Sequence, residues 1–367
     1  MSEQVLRFTR DLWQRATGPQ EDLALPLKAA ALRERRRFVT GLRWASQGFW
    51  LLVTIAIGTQ FVRWVRQIEQ GAAAVDRPGG VEAFLPLSAL LSLRHLWETG
   101  EISPVRPAGF VIFLAVAATG LLMKRAFCSW VCPIGTASEW LAGLSRRAFG
   151  RLLSLPRWLD LPLRSLKYLL LLFFASAIFW TMSSADVALF LDSPYNRVAD
   201  VKMLYFFEQM SPFKGKVIFA LIVLSAVIPY FWCRYLCPYG ALLGFLSLLS
   251  PLKVTRDAAS CIDCDLCTKA CPSRLPVAKL ARVRSDECIG CLSCVAACPV
   301  PRALRVETPS PWRRAVRPAA FAVLLLVLFG GSIVAAKAAG VWRTNVSDEE
   351  YVTRVQELHE PHYGHPR

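Results

Sequence analysis

Cys261-Ile-Asp-Cys264-Asp-Leu-Cys267-Thr-Lys-Ala-Cys271-Pro272 and Cys288-Ile-Gly-Cys291-Leu-Ser-Cys294-Val-Ala-Ala-Cys298-Pro299 repeat a single spacing, C-x2-C-x2-C-x3-C-P. Three thiolates two residues apart on a tight loop grip three corners of an iron–sulfur cubane, and the fourth corner takes a thiolate from elsewhere. In paired runs of this kind the fourth Cys of each run ligates the other cluster. The spacing therefore predicts one [4Fe–4S] set of Cys261, Cys264, Cys267 and Cys298 and a second of Cys288, Cys291, Cys294 and Cys271. Zinc is the competing reading, but zinc sites commonly mix His with Cys, and there is no His between residues 251 and 310. That segment is polar, rich in Cys, Pro and Arg, and short of large apolar side chains, so the clusters are expected to supply much of its stability.

The surrounding sequence belongs to a membrane protein. The chain has 367 residues, of which 54% are hydrophobic and only 19% charged, with a mean hydropathy of +0.38. This excludes a disordered chain. Five apolar stretches approach the ~20 residues a spanning helix needs: Trp44 to Val65, Val105 to Met123, Ser165 to Met182, Lys216 to Trp232 and Val316 to Ala336. A sixth, Val81 to Trp97, contains Glu82, Pro86, Arg94 and His95 and reads as an interfacial or re-entrant helix. Residues 1–43, 124–164 and 233–315 hold 28 Lys and Arg against 13 Asp and Glu; residues 66–103, 186–215 and 337–367 hold 10 against 14. Positive charge collects on the cytoplasmic side, so the N-terminus and the cysteine-rich island are expected in the cytoplasm and the C-terminus in the periplasm, with a bacterial inner membrane between. The net charge of +16 is then mostly topology, and no nucleic-acid reading element accompanies it. Arg35-Arg36-Arg37-Phe38-Val39 reads as an anchor before the first span rather than as an export signal.

The remaining four cysteines form a second repeat. Phe127-Cys128-Ser-Trp130-Val-Cys132-Pro133-Ile-Gly135-Thr136 matches Trp232-Cys233-Arg-Tyr235-Leu-Cys237-Pro238-Tyr-Gly240-Ala241 at an offset of 105 residues. Each copy follows an outside-to-inside span, so two duplicated helix pairs would bring four thiols together at the cytoplasmic edge. Cys128, Cys132, Cys233 and Cys237 then hold a third cluster or act as redox thiols; packing cysteines and a disulfide, disfavoured in the cytoplasm, are the other readings. The Gly after each motif is expected to let a neighbouring backbone pass close by. All twelve cysteines of the chain are in these motifs.

The layout of spans, paired C-x3-C-P motifs and a terminal pair of ferredoxin runs resembles the membrane polyferredoxins: NapH-type proteins, the C-terminal half of NosR, and CcoG-like proteins. Arg77-Pro-Gly-Gly-Val-Glu-Ala-Phe-Leu-Pro86 is similar too. The NapH type is closest, because the chain shows neither a large periplasmic flavin domain nor a periplasmic sandwich domain. The resemblance implies electron transfer between the quinone pool or a cytoplasmic donor and a periplasmic or membrane redox partner, such as a cytochrome, a reductase subunit or another iron–sulfur protein, often in anaerobic respiration. It implies an electron-transfer subunit rather than a self-sufficient enzyme, and no nucleophile–base set or nucleotide loop is visible.

The expected fold is an all-α transmembrane bundle of about five spans carrying a small α+β two-cluster ferredoxin domain. Its expected parts are a basic segment 1–43, a four-span membrane domain 44–250, the ferredoxin domain 251–310, a fifth span 311–339 and a periplasmic tail 340–367. Two other functions fit the residues less well: a copper reductase or assembly factor, for which His359, His362 and His365 would be candidate ligands, and a membrane redox sensor. Asp186, Asp192 and Asp200 read as a solvated acidic loop, and His95 as an interfacial residue.

Overall fold

The computed structural model describes residues 3–71, 75–149, 155–300, 302–309, 311, 313–358, 360 and 363; side chains are described from residue 30 onward, excepting 31, 149 and 157. The described chain is mostly helical. It opens with one helix, Glu3–Glu69, about 100 Å long at 1.5 Å per residue, which runs unbroken from the basic segment through the first apolar stretch. Among the described residues three helices are long and apolar enough to cross a bilayer: Leu32–Glu69, Trp158–Thr181 and Pro318–Ala338. Ala199–Glu208 and Pro212–Val227 make a fourth if that pair, bent by 86°, is counted as one span. Large apolar side chains such as Leu52, Leu169, Phe173, Val323 and Val327 point outward from these helices, as lipid-facing residues do.

Two expected spans come out shorter. Pro107–Met123 has 17 residues and Pro212–Val227 has 16, about 25 Å each against a hydrocarbon core of about 30 Å. Pro107–Met123 ends at the expected residue and Pro212–Val227 before the expected Trp232, and each gives way to a cysteine turn. Each break is marked by a non-glycine residue in the left-handed region, Lys124 at φ 60° and Tyr230 at φ 59°. Both copies then run through a short helical turn, Ala126–Trp130 or Trp232–Leu236, into a helix begun by the motif proline, Pro133–Phe149 or Pro238–Leu249. Proline suits this position, since its missing N–H would have no partner in the first turn. The packing is reciprocal: Pro107–Met123 lies against Pro238–Leu249, while Pro133–Phe149 lies against Pro212–Val227.

The cysteine-rich island is closed by a small antiparallel sheet of β1 (Lys253–Arg256), β2 (Leu304–Glu307) and β3 (Ala315–Val316), in that order, with Val254 opposite Val306. Its core is not its own. Val254, Leu275, Val283, Leu292, Val295 and Val306 join one buried cluster with Met123, Ala126, Trp130 and Leu243 of the membrane edge. Apolar side chains too few to form a core alone are completed by those of the helices beneath.

A second core lies at the other end of the membrane helices. Phe61, Trp64, Val65 and Ile68 pack with Val105, Val198, Val201, Tyr351 and Val355. The C-terminal segment is therefore built in. Helix Asp348–Gln356 is capped by Ser347, Tyr351 packs edge-on against Trp64, and Asn345 N–H donates to the Pro104 carbonyl at 3.0 Å. Asp200 corrects the acidic-loop reading. It is fully buried, bridging Arg77 at 2.7 Å and Arg106 at 3.1 Å, while Arg77 also pairs with Glu82. Asp186 instead caps a helix with Ser183, and Asp192 pairs with Arg197 at the surface. In the Arg77–Pro86 stretch, a Cβ on Gly79 would meet the Trp342 indole at 2.8 Å and one on Gly80 would meet Ile57 at 2.7 Å.

Candidate iron–sulfur sites

The two cysteine runs share a backbone as well as a spacing. Asp263 and Gly290, two residues after the first Cys of each run, are left-handed, and so are Asp265 and Leu292, one residue after the second. Three of these four are not glycine, a conformation that costs free energy and is found where the surroundings demand it. Backbone N–H groups in such alternating turns converge into anion-binding concavities of the kind that hold iron–sulfur clusters. A short helix, Leu266–Lys269 or Ser293–Ala297, follows each loop.

The crossed sets expected from the spacing line separate cavities. Cys261, Cys264, Cys267 and Cys298 surround one with Arg256, Ile262 and Leu304. Cys271, Cys288, Cys291 and Cys294 surround another with Val254, Leu275 and Val283. Each encloses about 20 Å³. Among the described residues no three His, Cys, Asp or Glu side chains close tightly enough for a single metal ion. Four thiols, with no imidazole among the lining residues, surround each cavity. The environments differ: Cys264 is exposed, whereas Cys291 and Cys294 are buried. Burial pushes the Cys271 thiol up to about 12, with the neighbouring Cys291 adding to it. A metal that binds there must displace the proton.

Cys128, Cys132, Cys233 and Cys237 all line one larger cavity of about 1050 Å³. It extends between the helices past Trp50, Phe127, Phe329 and Ile333 to Gln60, Lys337, Trp342 and Arg343. The reciprocal helix packing brings the two motifs together; Gly135 lets the first motif fold back on its own Cys128 turn, and Gly240 makes room for Arg125 of the other copy. A Cβ on Gly135 would lie 1.9 Å from the Cys128 carbonyl oxygen, and one on Gly240 would meet Arg125 Nη2 at 3.0 Å. The Cys237 sulfur accepts from Gly240 N–H at 3.2 Å at the start of its helix, where the dipole favours a thiolate.

The loop of the buried quartet is fastened to the turn that carries Cys128. Three successive carbonyls accept from it: Cys288 from Arg125 N–H at 3.4 Å, Ile289 from the Ser129 hydroxyl at 2.6 Å and Gly290 from the Trp130 indole at 3.1 Å. Arg43 reaches the Cys291 carbonyl and the Ser293 hydroxyl while pairing with Glu139. A smaller cavity of about 30 Å³ lies between the sites, lined by Cys128, Cys233 and Arg125 of the two turns and by Pro272, Ser273, Glu287 and Ile289 of the island.

Several of these groups escaped the sequence reading. Arg125, Lys167 and Glu287 form a buried set, with Arg125 and Lys167 both turned to the Glu287 carboxylate. Asp286 accepts from the Tyr168 hydroxyl; burial pushes its carboxyl up, but the Tyr168 hydrogen bond and the Lys167 charge outweigh burial and hold it below its usual range. The available signal was a charge at the edge of an apolar stretch, Arg125 just before a motif and Lys167 inside a span. His95 is half-buried on helix Pro86–Thr99. His359, His362 and His365 lie outside the described residues.

Known proteins place these features in context. A model described as a 4Fe-4S binding domain matches residues 105–151 and 217–256, each stretch containing one C-x3-C-P motif. A 4Fe-4S dicluster domain matches residues 253–299. YccM of Escherichia coli (strain K12), provisionally named for electron transport, is 43% identical over 335 residues, 90% of this chain and 93% of that protein. The ferredoxin-type protein NapH of the same strain is 30% identical over 212 residues, 55% of this chain and 68% of that protein. NirI of Paracoccus denitrificans is 34% identical over 211 residues, 56% of this chain but only 29% of its own length. No solved structure matches the chain significantly. With its iron–sulfur domains, its membrane helices and these relatives, the chain belongs to the membrane polyferredoxin family of iron–sulfur electron-transfer proteins.

Proposed function

We propose that the protein relays single electrons through three [4Fe–4S] clusters, from a solvent-facing site to a cavity within the membrane. The outermost is held by Cys261, Cys264, Cys267 and Cys298, the middle one by Cys271, Cys288, Cys291 and Cys294, and the membrane-edge one by Cys128, Cys132, Cys233 and Cys237. Bound clusters supply one-electron chemistry. The protein's own part is to hold them close together, exclude water and set their potentials by burial, hydrogen bonding and charge. One observation carries the reading: the carbonyls of Cys288, Ile289 and Gly290 are hydrogen-bonded to the turn bearing Cys128, so the middle and membrane-edge sites share a rigid junction.

The domain limits of 1–43, 44–250, 251–310, 311–339 and 340–367 belong to this reading, as do five spans in a bacterial inner membrane with the island in the cytoplasm and the C-terminus in the periplasm. The large cavity, aromatic along its walls and cationic at the end away from the thiols, suits a lipid-soluble quinone. A redox protein is the other candidate partner, docked beside Cys264, where the outer site reaches the surface.

The test uses the full-length protein purified anaerobically in detergent. Three clusters predict about twelve irons, four per cubane. Cys132→Ser with Cys237→Ser should leave about eight and abolish reoxidation of the remaining clusters by a short-chain quinone. Zinc in place of iron would refute the cluster assignment. Undiminished reoxidation in the double variant would remove the membrane-edge quartet from the route.

A further inference from the structure

Arg125 and Glu287 are buried between the membrane-edge thiols and the middle cluster's loop, and Lys167 is buried against Glu287. Arg125 is 2% exposed, Lys167 0% and Glu287 6%. Lys167 Nζ is in close contact with Glu287 Oε1, whereas Arg125 Nη1 stands 3.5 Å from Oε2. Two buried cations thus share one buried carboxylate. The next carboxylate, Asp286, is only partly buried and accepts from Tyr168. An uncompensated buried charge is strongly unfavourable. Arg125 also keeps a buried Nε with no partner, and its guanidinium lines both the thiol cavity and the small cavity beyond it. The groups of opposite potential charge that face it are Cys128, Glu287 and Cys233.

We propose that Arg125 is the counter-cation of an anionic cluster held by Cys128, Cys132, Cys233 and Cys237: a positioning residue that raises this cluster's reduction potential relative to the middle one. The inference rests on the three-cluster reading. Four thiolates around a cluster carry net negative charge, and they would supply an anion beside the Glu287 carboxylate that Arg125 shares with Lys167. In the step concerned, one electron leaves the site of Cys271, Cys288, Cys291 and Cys294 and arrives at the membrane-edge site. No bond forms or breaks and no proton moves. The arriving charge is negative and Arg125 stabilises it, while Glu287, nearer the donor's Cys288, opposes it. The arrangement thereby favours flow toward the membrane.

Arg125→Gln, Arg125→Lys and Glu287→Gln in the full-length protein test this by iron analysis and EPR-monitored redox titration. Arg125→Gln should keep about twelve irons and shift the membrane-edge equilibrium about tenfold toward the oxidised form, about 59 mV lower for one electron, with the outermost signal unmoved. Glu287→Gln should move the membrane-edge signal the opposite way. An unchanged potential in a fully loaded Arg125→Gln protein, or shifts of the same sign in both variants, would overturn the proposal alone. If Arg125→Gln loses the membrane-edge cluster, its retention in Arg125→Lys supports the charge role and its loss in both refutes it. About eight irons in the unaltered protein, with no third signal, would overturn the three-cluster reading and this inference with it.

Discussion

Gly135→Ala should be among the most damaging single-methyl additions in the protein. The new Cβ would sit 1.9 Å from the Cys128 carbonyl oxygen, and real Cβ atoms essentially never approach closer than 3.0 Å. Relief requires a relative movement of about 1.1 Å between the turn of Cys128 and the helix begun by Pro133. The clashing atom is backbone, and its turn is tied to the island at Arg125, Ser129 and Trp130, so no side-chain rotation absorbs the insertion. Overpacking typically costs 1–3 kcal/mol and occasionally more; this site belongs at the upper end, about 3 kcal/mol. Gly240→Ala, whose nearest neighbour is the movable end of Arg125 at 3.0 Å, should cost about 1 kcal/mol. Gly143→Ala, with nothing within 4 Å on the same helix, should gain about 0.5–1 kcal/mol. The chain's twelve tryptophans give a fluorescence readout of thermal unfolding in detergent. The expected order is Gly143→Ala, unaltered, Gly240→Ala, Gly135→Ala, with iron lost only in the last. If Gly135→Ala unfolds together with Gly143→Ala, the close approach described here does not exist.

Asp200→Asn should leave Arg77 and Arg106 buried without their shared carboxylate and cost about 3–5 kcal/mol; iron content should not change, because the second core lies away from all three cysteine quartets. Trp130→Phe deletes the indole donor to the Gly290 carbonyl, worth about 1 kcal/mol. It should slow electron arrival at the membrane-edge site in stopped-flow measurements while dithionite still reduces the outer cluster at the normal rate, and an unaltered rate would argue against the junction.

What the sequence made legible was local. The ferredoxin runs and the C-x3-C-P turns place their thiols within a few residues of one another, so spacing carries much of the local geometry, and the recurring Gly announced the close approaches found at Gly135 and Gly240. Partner choice over long separations was not legible. Asp200 resembled its neighbours Asp186 and Asp192, and only packing against Arg77 and Arg106, more than ninety residues away, separates them. The island looked short of a core because its valines are completed by Met123, Ala126 and Trp130 of the membrane edge. The end of the expected Lys216 to Trp232 span was placed too late because hydrophobicity continues into a turn whose backbone has already left the helix before Tyr230.

The reciprocal packing of the two motif copies also sets an order of manufacture. Cys128 and Cys132 leave the ribosome 105 residues ahead of Cys233 and Cys237, a delay of roughly 5–20 s at 5–20 residues per second. Throughout that interval the first pair has only half a binding site, because the helix that completes it, Pro238–Leu249, has not been made. On the three-cluster proposal, iron delivered in that interval would meet only two of the four thiols, and loading of this site would wait for insertion of the second helix pair. The island is translated after both motifs and is tied to the Cys128 turn. On that proposal the innermost site would be complete only after the second helix pair is in place, and the island would dock on the Cys128 turn after that.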